Sequence, residues 1–330
     1  MNDNGSLFND DDLFGSAEPV VRETRQPEPE SAPYAARYSN SRIKPISLDG
    51  LNPMQREAAE HVDGPLLVVA GAGSGKTRVL THRIAHLISN HGVSPMNVLA
   101  ITFTNKAAGE MKHRVESLIG PVAKSMWVST FHSACVRILR VHAERIGYPK
   151  TFSIYDQADA QRLTGYVIRD MGLDVKRFTP RAVHAVISNW KNELVSPTQA
   201  AERAAHIFDR KHSEIYREYQ ERLLKAGAMD FDDLLVNVVR LFRMHTDVLA
   251  SYQDRFKYIL VDEYQDTNIA QNEIVLSLAA RHHNVCVVGD TDQSIYAFRG
   301  ADFRNIGQFE DAFDEVSVVV LEQNYRSTQN

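Results

Sequence analysis

At 330 residues, 43% hydrophobic and 24% charged, the chain has the balance of an ordinary soluble globular protein of about two domains. No apolar run approaches the ~20 residues of a membrane span, and the N-terminus lacks the basic-then-apolar build of a signal peptide. A cytoplasmic protein without a membrane partner is therefore expected. The net charge of −5 neither supports nor excludes a polyanion partner, because −3 of it lies in residues 1–45, where eight acids face five bases.

Residues 1–45 also hold five prolines and no sustained periodicity, the composition of a disordered acidic tail. Within it Leu7-Phe8 and Leu13-Phe14 bracket Asp10, Asp11 and Asp12, either a solvated stretch or a short segment that docks a protein partner. From Leu51 strand and helix signals alternate, which predicts an α/β fold with a parallel sheet and covering helices. Strands are predicted at about 66–69, 98–102, 127–129, 258–262, 285–289 and 316–321, with helices at about 76–90, 106–118 and 131–146. The alternation then stops. Asp156 caps one helical pattern, Pro180 opens a second, Pro197 a third, and a long one runs over 208–225. Residues 151–227 thus read as an all-helical insertion subdomain between two parts of the sheet domain, 46–150 and 228–330. Cys135 falls in a helical pattern and Cys286 in an apolar strand, so both read as buried thiols in a reducing compartment.

Leu66-Leu67-Val68-Val69 leads into Ala70-Gly71-Ala72-Gly73-Ser74-Gly75-Lys76-Thr77, and a helical pattern follows. A strand, a glycine-rich turn and a Lys-Thr pair opening a helix form the context of a phosphate-binding loop. Glycines let backbone N–H groups turn inward around phosphate oxygens, and the helix N-terminus adds its positive end. Lys76 is expected to reach the β- and γ-phosphates and Thr77 to hold Mg²⁺. Ala70 stands at the first position in place of glycine and is small enough to fit. Binding of a nucleoside triphosphate, ATP with Mg²⁺, is the expectation.

Tyr258-Ile259-Leu260-Val261 delivers Asp262 and Glu263 at its C-terminal end, the side on which an open α/β sheet binds ligands. Beside a phosphate loop, Asp262 is the candidate Mg²⁺ support and Glu263 the candidate base for the attacking water.

Asp262-Glu263-Tyr264-Gln265-Asp266 stands in a series with the phosphate loop, Thr102-Phe103-Thr104-Asn105-Lys106-Ala107-Ala108 and Met229-Asp230-Phe231-Asp232-Asp233-Leu234-Leu235. Gly289-Asp290-Thr291-Asp292-Gln293-Ser294-Ile295-Tyr296 and Gln323-Asn324-Tyr325-Arg326-Ser327-Thr328 complete it. In kind and order these motifs closely resemble the UvrD/PcrA/Rep family of superfamily 1 DNA helicases, over residues 48–328. The resemblance implies a RecA-like P-loop NTPase sheet with a helical insertion, and an ATP-dependent 3′–5′ helicase or translocase. Single-stranded DNA and its junctions with duplex would be the partners, and DNA repair or replication-linked unwinding the role. It further implies that Gln55 hydrogen-bonds adenine, that Tyr325 stacks on it, that Arg326 contacts the γ-phosphate, and that Gln293 senses it. Arg78 either touches the nucleotide or lies in solvent. Phe103, Thr104, Asn105, Tyr296, Phe298 and Arg299 match DNA-contacting positions, although many relatives carry Trp where this chain has Phe298. His132 and Phe231 either line the DNA channel or serve the structure. Relatives continue into a second RecA-like domain, so the chain reads as the first motor half, weak or inactive in unwinding alone. Two other readings stay open: a non-catalytic nucleotide- and partner-binding half-motor, and the motor subunit of a helicase–nuclease complex of the AddA or RecB kind. The His82/His86 pair has zinc-compatible spacing but no third ligand nearby and reads as a helix face.

Overall fold

The computed structural model describes residues 43–290 and 304–321, so the tail reading over residues 1–42 lies outside them. Two compact units emerge: Ala134–Thr246, and the sequence on either side of it. The first flanking part runs through α1 (Pro53–Glu60), β1 (Leu66–Ala70), α2 (Lys76–Ser89), β2 (Val98–Thr102), α3 (Asn105–Ile119) and β3 (Trp127–Thr130), with α4 (Phe131–His142) following. The helical unit continues with β4 (Ser153–Tyr155), α5 (Gln157–Asp170), α6 (Pro180–Asn192), α7 (Pro197–Glu202), α8 (Ile207–Lys225), β5 (Ala228–Asp230) and α9 (Phe231–Met244). The second flanking part holds α10 (Thr246–Arg255), β6 (Tyr258–Val261), α11 (Ile269–Ala279), β7 (Val285–Gly289), α12 (Arg304–Ala312) and β8 (Ser317–Leu321).

The central sheet has the order β3-β2-β6-β7-β1-β8, and every pairing is parallel. Sheets of this kind are covered on both faces, which is why their strands are nearly continuous apolar runs. On one face Leu66, Val68, Ala100, Leu260 and Val288 pack against Val79, Leu80 and Ile84 of α2 and Met111 and Val115 of α3. Each Leu, Val, Ile or Met among them contributes about 1.5–3 kcal/mol when fully buried. The alternate residues, Leu67, Ile101, Ile259, Val261 and Val287, are equally buried on the other face. Arg83 of α2 is the exception in the first layer. It is fully buried and donates to the carbonyls of Ala58 (3.2 Å) and Val62 (3.4 Å). Because the strands are parallel, the carboxyl ends of β1, β2, β6 and β7 share one edge.

The helical unit is wider than the 151–227 expected. Ala228–Asp230 does not rejoin the central sheet; it pairs in parallel with Ser153–Tyr155 as a separate two-stranded ribbon. Helix α9 follows it in the same unit, and the central sheet resumes only at β6. The unit is built around a buried charge cluster. Lys191 Nζ of α6 lies 2.7 Å from Asp230 Oδ2 and 2.7 Å from Asp233 Oδ1, while Tyr219 donates to Asp230 (2.8 Å) and Gln220 to Asp233 (2.8 Å). Asp230 and Asp233 also form the capping box of α9. Burial alone would lower the Lys191 pKa, but the two carboxylates outweigh it and raise it. No helix among the described residues is long and apolar enough to cross a membrane.

Removing Lys191 leaves two buried carboxylates without a counter-charge, a change that typically costs about 3–5 kcal/mol. Lys191→Met is expected to lower the denaturation midpoint of the helical unit accordingly. Trp190, stacked on Tyr216 at 5.9 Å, reports it in a Trp127→Phe background. An unchanged midpoint would contradict a structural role for the cluster.

Candidate active site

The turn after β1 is shaped by its small residues. Ala70 is buried in the core layer, so its methyl group is accommodated by packing and does not enter the loop. Gly73 (φ 81°) and Gly75 (φ 92°) adopt the left-handed conformation that favours glycine. Ser74 Oγ donates to the Gly71 carbonyl (2.7 Å) and closes the turn, and Gly71 and the exposed Ala72 complete its rim. Gly75 is the N-cap of α2 and brings no side chain to it, so Lys76 and Thr77 follow directly as the first helical residues.

Gln55 lies beneath this turn, 2% exposed. Its Oε1 accepts from the Asn52 N–H (3.2 Å) in the capping box of α1, and its Nε2 donates to the Ser74 carbonyl (2.8 Å). The amide expected to read adenine therefore straps α1 to the loop, with one N–H and one lone pair left over. A Cβ on Gly75 would stand 2.7 Å from Gln55 Nε2. Arg78 Nη2 donates to the Gly50 carbonyl (2.8 Å), anchoring an exposed arginine to the segment before α1.

The acids arrive from β6. The Asp262 N–H donates to the Ile101 carbonyl (3.0 Å), and Asp262 Oδ1 accepts from the Glu263 N–H (3.1 Å). Glu263 itself has φ 50° and ψ 47°, a left-handed conformation that costs a non-glycine residue about 1–2 kcal/mol. The turn aims its carboxylate back at the loop: Glu263 Oε2 lies 3.0 Å from Lys76 Nζ. Asp290, at the end of β7, places Oδ2 3.6 Å from the same ammonium. Burial, reinforced by the Glu263 charge, pushes Asp262 up to about 6, and the same two causes raise Asp266. One ammonium thus faces four acids, a deficit of positive charge that a divalent cation relieves.

The donor set fits Mg²⁺. Thr77 and Asp262 offer hard oxygen ligands, and no group of three or more His, Cys, Asp or Glu residues among those described could hold a metal unaided. Mg²⁺ typically takes one or two protein oxygens and completes its shell with water and phosphate.

A second surface follows β2 and β3, whose ends pair Thr102 with Thr130. Phe103 is 38% exposed and meets Phe131 edge to face at 6.5 Å. Thr104 caps α3 by accepting from the Ala107 N–H (3.0 Å), Asn105 lies 3.5 Å from Ser133 Oγ, and His132 is half-buried at the start of α4. Phe231 opens α9 in the helical unit and is 49% exposed. Gln293, Tyr296, Phe298, Arg299, Tyr325 and Arg326 lie outside the described residues. His82 Nδ1 is bonded to the Arg78 carbonyl (2.8 Å) and His86 contacts His91 (3.0 Å). Both cysteines are free and buried. Gln265 and Asp290 fall within the sequence motifs, but the residue pattern alone assigns them no task. Both are buried at the centre of the site, and Gln265 Nε2 donates to Glu263 Oε2 (2.9 Å).

A parallel sheet whose β1 turn presents a lysine to the acids ending β6 is that of a RecA-like P-loop motor domain. The UvrD/REP helicase N-terminal domain model matches residues 51–314, and the chain belongs to this family. It is 54% identical over 282 residues to the ATP-dependent DNA helicase PcrA of Bacillus subtilis (strain 168), covering 86% of this chain and 38% of that protein. It is 53% identical over 294 residues to the ATP-dependent DNA helicase UvrD1 of Mycobacterium tuberculosis (strain ATCC 25618 / H37Rv), with the same coverage. Against the PcrA of Staphylococcus aureus (strain NCTC 8325 / PS 47) identity is 51% over 282 residues, 86% of this chain and 39% of the relative. The chain thus spans about 38% of the length of the relatives it matches.

Two outcomes follow from this geometry. Gly75→Ala combines a left-handed alanine with the clash on Gln55, so fluorescent ATP-analogue binding is expected to weaken at least ~10-fold; unchanged affinity would remove the turn from the site. Asp262 has a folded-state pKa above its unfolded value, so its ionisation destabilises the fold as pH rises from about 4 to about 6, and the cost is fully present above that range. Asp262→Asn at pH 8 is therefore expected to stabilise the nucleotide-free protein by on the order of 1–3 kcal/mol in urea denaturation. Lower stability than wild type would contradict the buried-charge account.

Proposed function

We propose that this chain is the first motor half of a cytoplasmic ATP-dependent 3′–5′ DNA helicase or translocase acting on single-stranded DNA and its duplex junctions, in repair or replication-linked unwinding. The observation that carries the reading is the 3.0 Å approach of Lys76 Nζ to Glu263 Oε2, two groups far apart in sequence that converge at the carboxyl ends of β1 and β6, on either side of β7. Bound Mg²⁺, held by Thr77 and Asp262, would supply neutralising charge to the phosphates. The loop from Ala70 to Gly75 cradles the phosphates with backbone N–H groups, and Lys76 exchanges its carboxylate partners for phosphate oxygens. Glu263, released from Lys76, accepts a proton from the attacking water. Phe103 and Phe231 offer faces on which bases stack, a sequence-indifferent contact worth about 1–3 kcal/mol per base. Gln293, Tyr325 and Arg326 keep the roles the family resemblance implies, as do Tyr296, Phe298 and Arg299 on DNA. Protein partners would dock on the acidic N-terminal tail.

Steady-state hydrolysis by the full-length protein tests this. Lys76→Ala is expected to abolish ATPase activity stimulated by single-stranded DNA. Glu263→Gln is expected to slow it about 10²–10⁴-fold while ATP binding persists. Loss of nucleotide binding in Glu263→Gln would overturn its role as base, and a wild-type protein without DNA-stimulated hydrolysis would favour the scaffold reading.

A further inference from the structure

We infer that Gln265 is the positioning residue for Glu263, holding the base carboxylate in register with the end of β7 throughout the hydrolytic cycle. The inference rests on the ATPase reading above and extends it to a residue outside the set assigned so far.

Gln265 is almost fully buried, and both ends of its amide are used. Nε2 donates to Glu263 Oε2 at 2.9 Å, and Oε1 accepts from the Asp290 N–H at 3.0 Å. One planar group therefore spans from the turn after β6 to the backbone ending β7. Gly289 makes room for it: a Cβ there would stand 3.3 Å from Gln265 Oε1 and 3.6 Å from its backbone nitrogen. Without nucleotide, Glu263 Oε2 has two partners, Lys76 Nζ at 3.0 Å and this amide. When Lys76 turns to the triphosphate, the Gln265 N–H keeps the carboxylate from rotating about its three side-chain torsions. An amide suits the task because it orients the carboxylate without a formal charge, whereas a cation in its place would stabilise the anion and weaken it as a base. The amide length also references the base to the β7 backbone, so a displacement there moves the proton acceptor with it. Misplacing a catalytic group by about 1 Å costs up to roughly 100-fold in rate.

The test uses the full-length protein with two variants. Gln265→Met preserves length and removes both hydrogen bonds. Gln265→Glu keeps an acceptor for the Asp290 N–H but replaces the donor facing Glu263, so it separates the two contacts if the first variant folds poorly. Both are expected to lower kcat for DNA-stimulated hydrolysis about 10–100-fold while the Kd for a fluorescent ATP analogue changes less than about 3-fold. Combined with Glu263→Gln, Gln265→Met is expected to cause no additional loss, because its effect acts through the carboxylate already removed. A kcat within about 2-fold of wild type for Gln265→Glu, a parallel loss of kcat and affinity, or multiplicative effects in the double variant would each overturn the assignment. An absence of hydrolysis in the wild type would instead overturn the ATPase reading, and this inference with it.

Discussion

The ammonium of Lys76 lies within 4 Å of carboxylates that end two different strands, Glu263 after β6 and Asp290 after β7, with Asp262 and Asp266 close enough to feel its charge. The other features of the site follow from the need to bring these groups together. The parallel order sets the end of β7 beside that of β1 and the end of β6 one strand further on, and the left-handed turn at Glu263 reverses the side chain toward the lysine. Gln265 ties the two strand ends to one another. A low-dielectric pocket with more acid than base is unfavourable on its own and becomes favourable when further positive charge enters. The arrangement thus holds an electrostatic imbalance and a strained backbone turn together, the usual relation between a functional site and the stability of its scaffold.

Much of this was legible in the sequence because it is local. The phosphate loop is eight consecutive residues whose small side chains and closing Lys-Thr dictate their own conformation, and the apolar runs announced all six strands of the central sheet. The helix starts at Asp156, Pro180 and Pro197 were equally readable, since capping and proline chemistry act within one turn. What escaped depends on partners distant in sequence. Ala228–Asp230 is too short to reveal by its period that it pairs with Ser153–Tyr155 and not with the central sheet, and Asp230 and Asp233 carry no sign in sequence of Lys191. Gln55 could be read as an amide with a donor and an acceptor, but its partner is a backbone carbonyl that leaves no signature in the sequence. Gln265 and Asp290 lay inside recognised motifs, and only the β6–β7 register gives them a task.

The two units use buried charge in opposite ways. In the helical unit Lys191 is held by two carboxylates at 2.7 Å each, one of which also accepts from the Tyr219 hydroxyl (2.8 Å), and the result is a closed structural centre. In the sheet unit the contacts to Lys76 are longer, 3.0 and 3.6 Å, which leaves the lysine exchangeable. Chemistry needs the second arrangement, because an ammonium satisfied as fully as that of Lys191 would have little to gain from a phosphate.

The two-stranded ribbon carries an evolutionary consequence. By pairing Ser153–Tyr155 with Ala228–Asp230 in parallel, the chain makes the whole of residues 156–227 a crossover between neighbouring strands. A crossover anchored at its base can lengthen, shorten or exchange its helices while its two attachment points stay fixed, and loop-closure entropy grows only logarithmically with its size. Lineages built on this fold can therefore diversify whatever that crossover touches without disturbing the turn after β1.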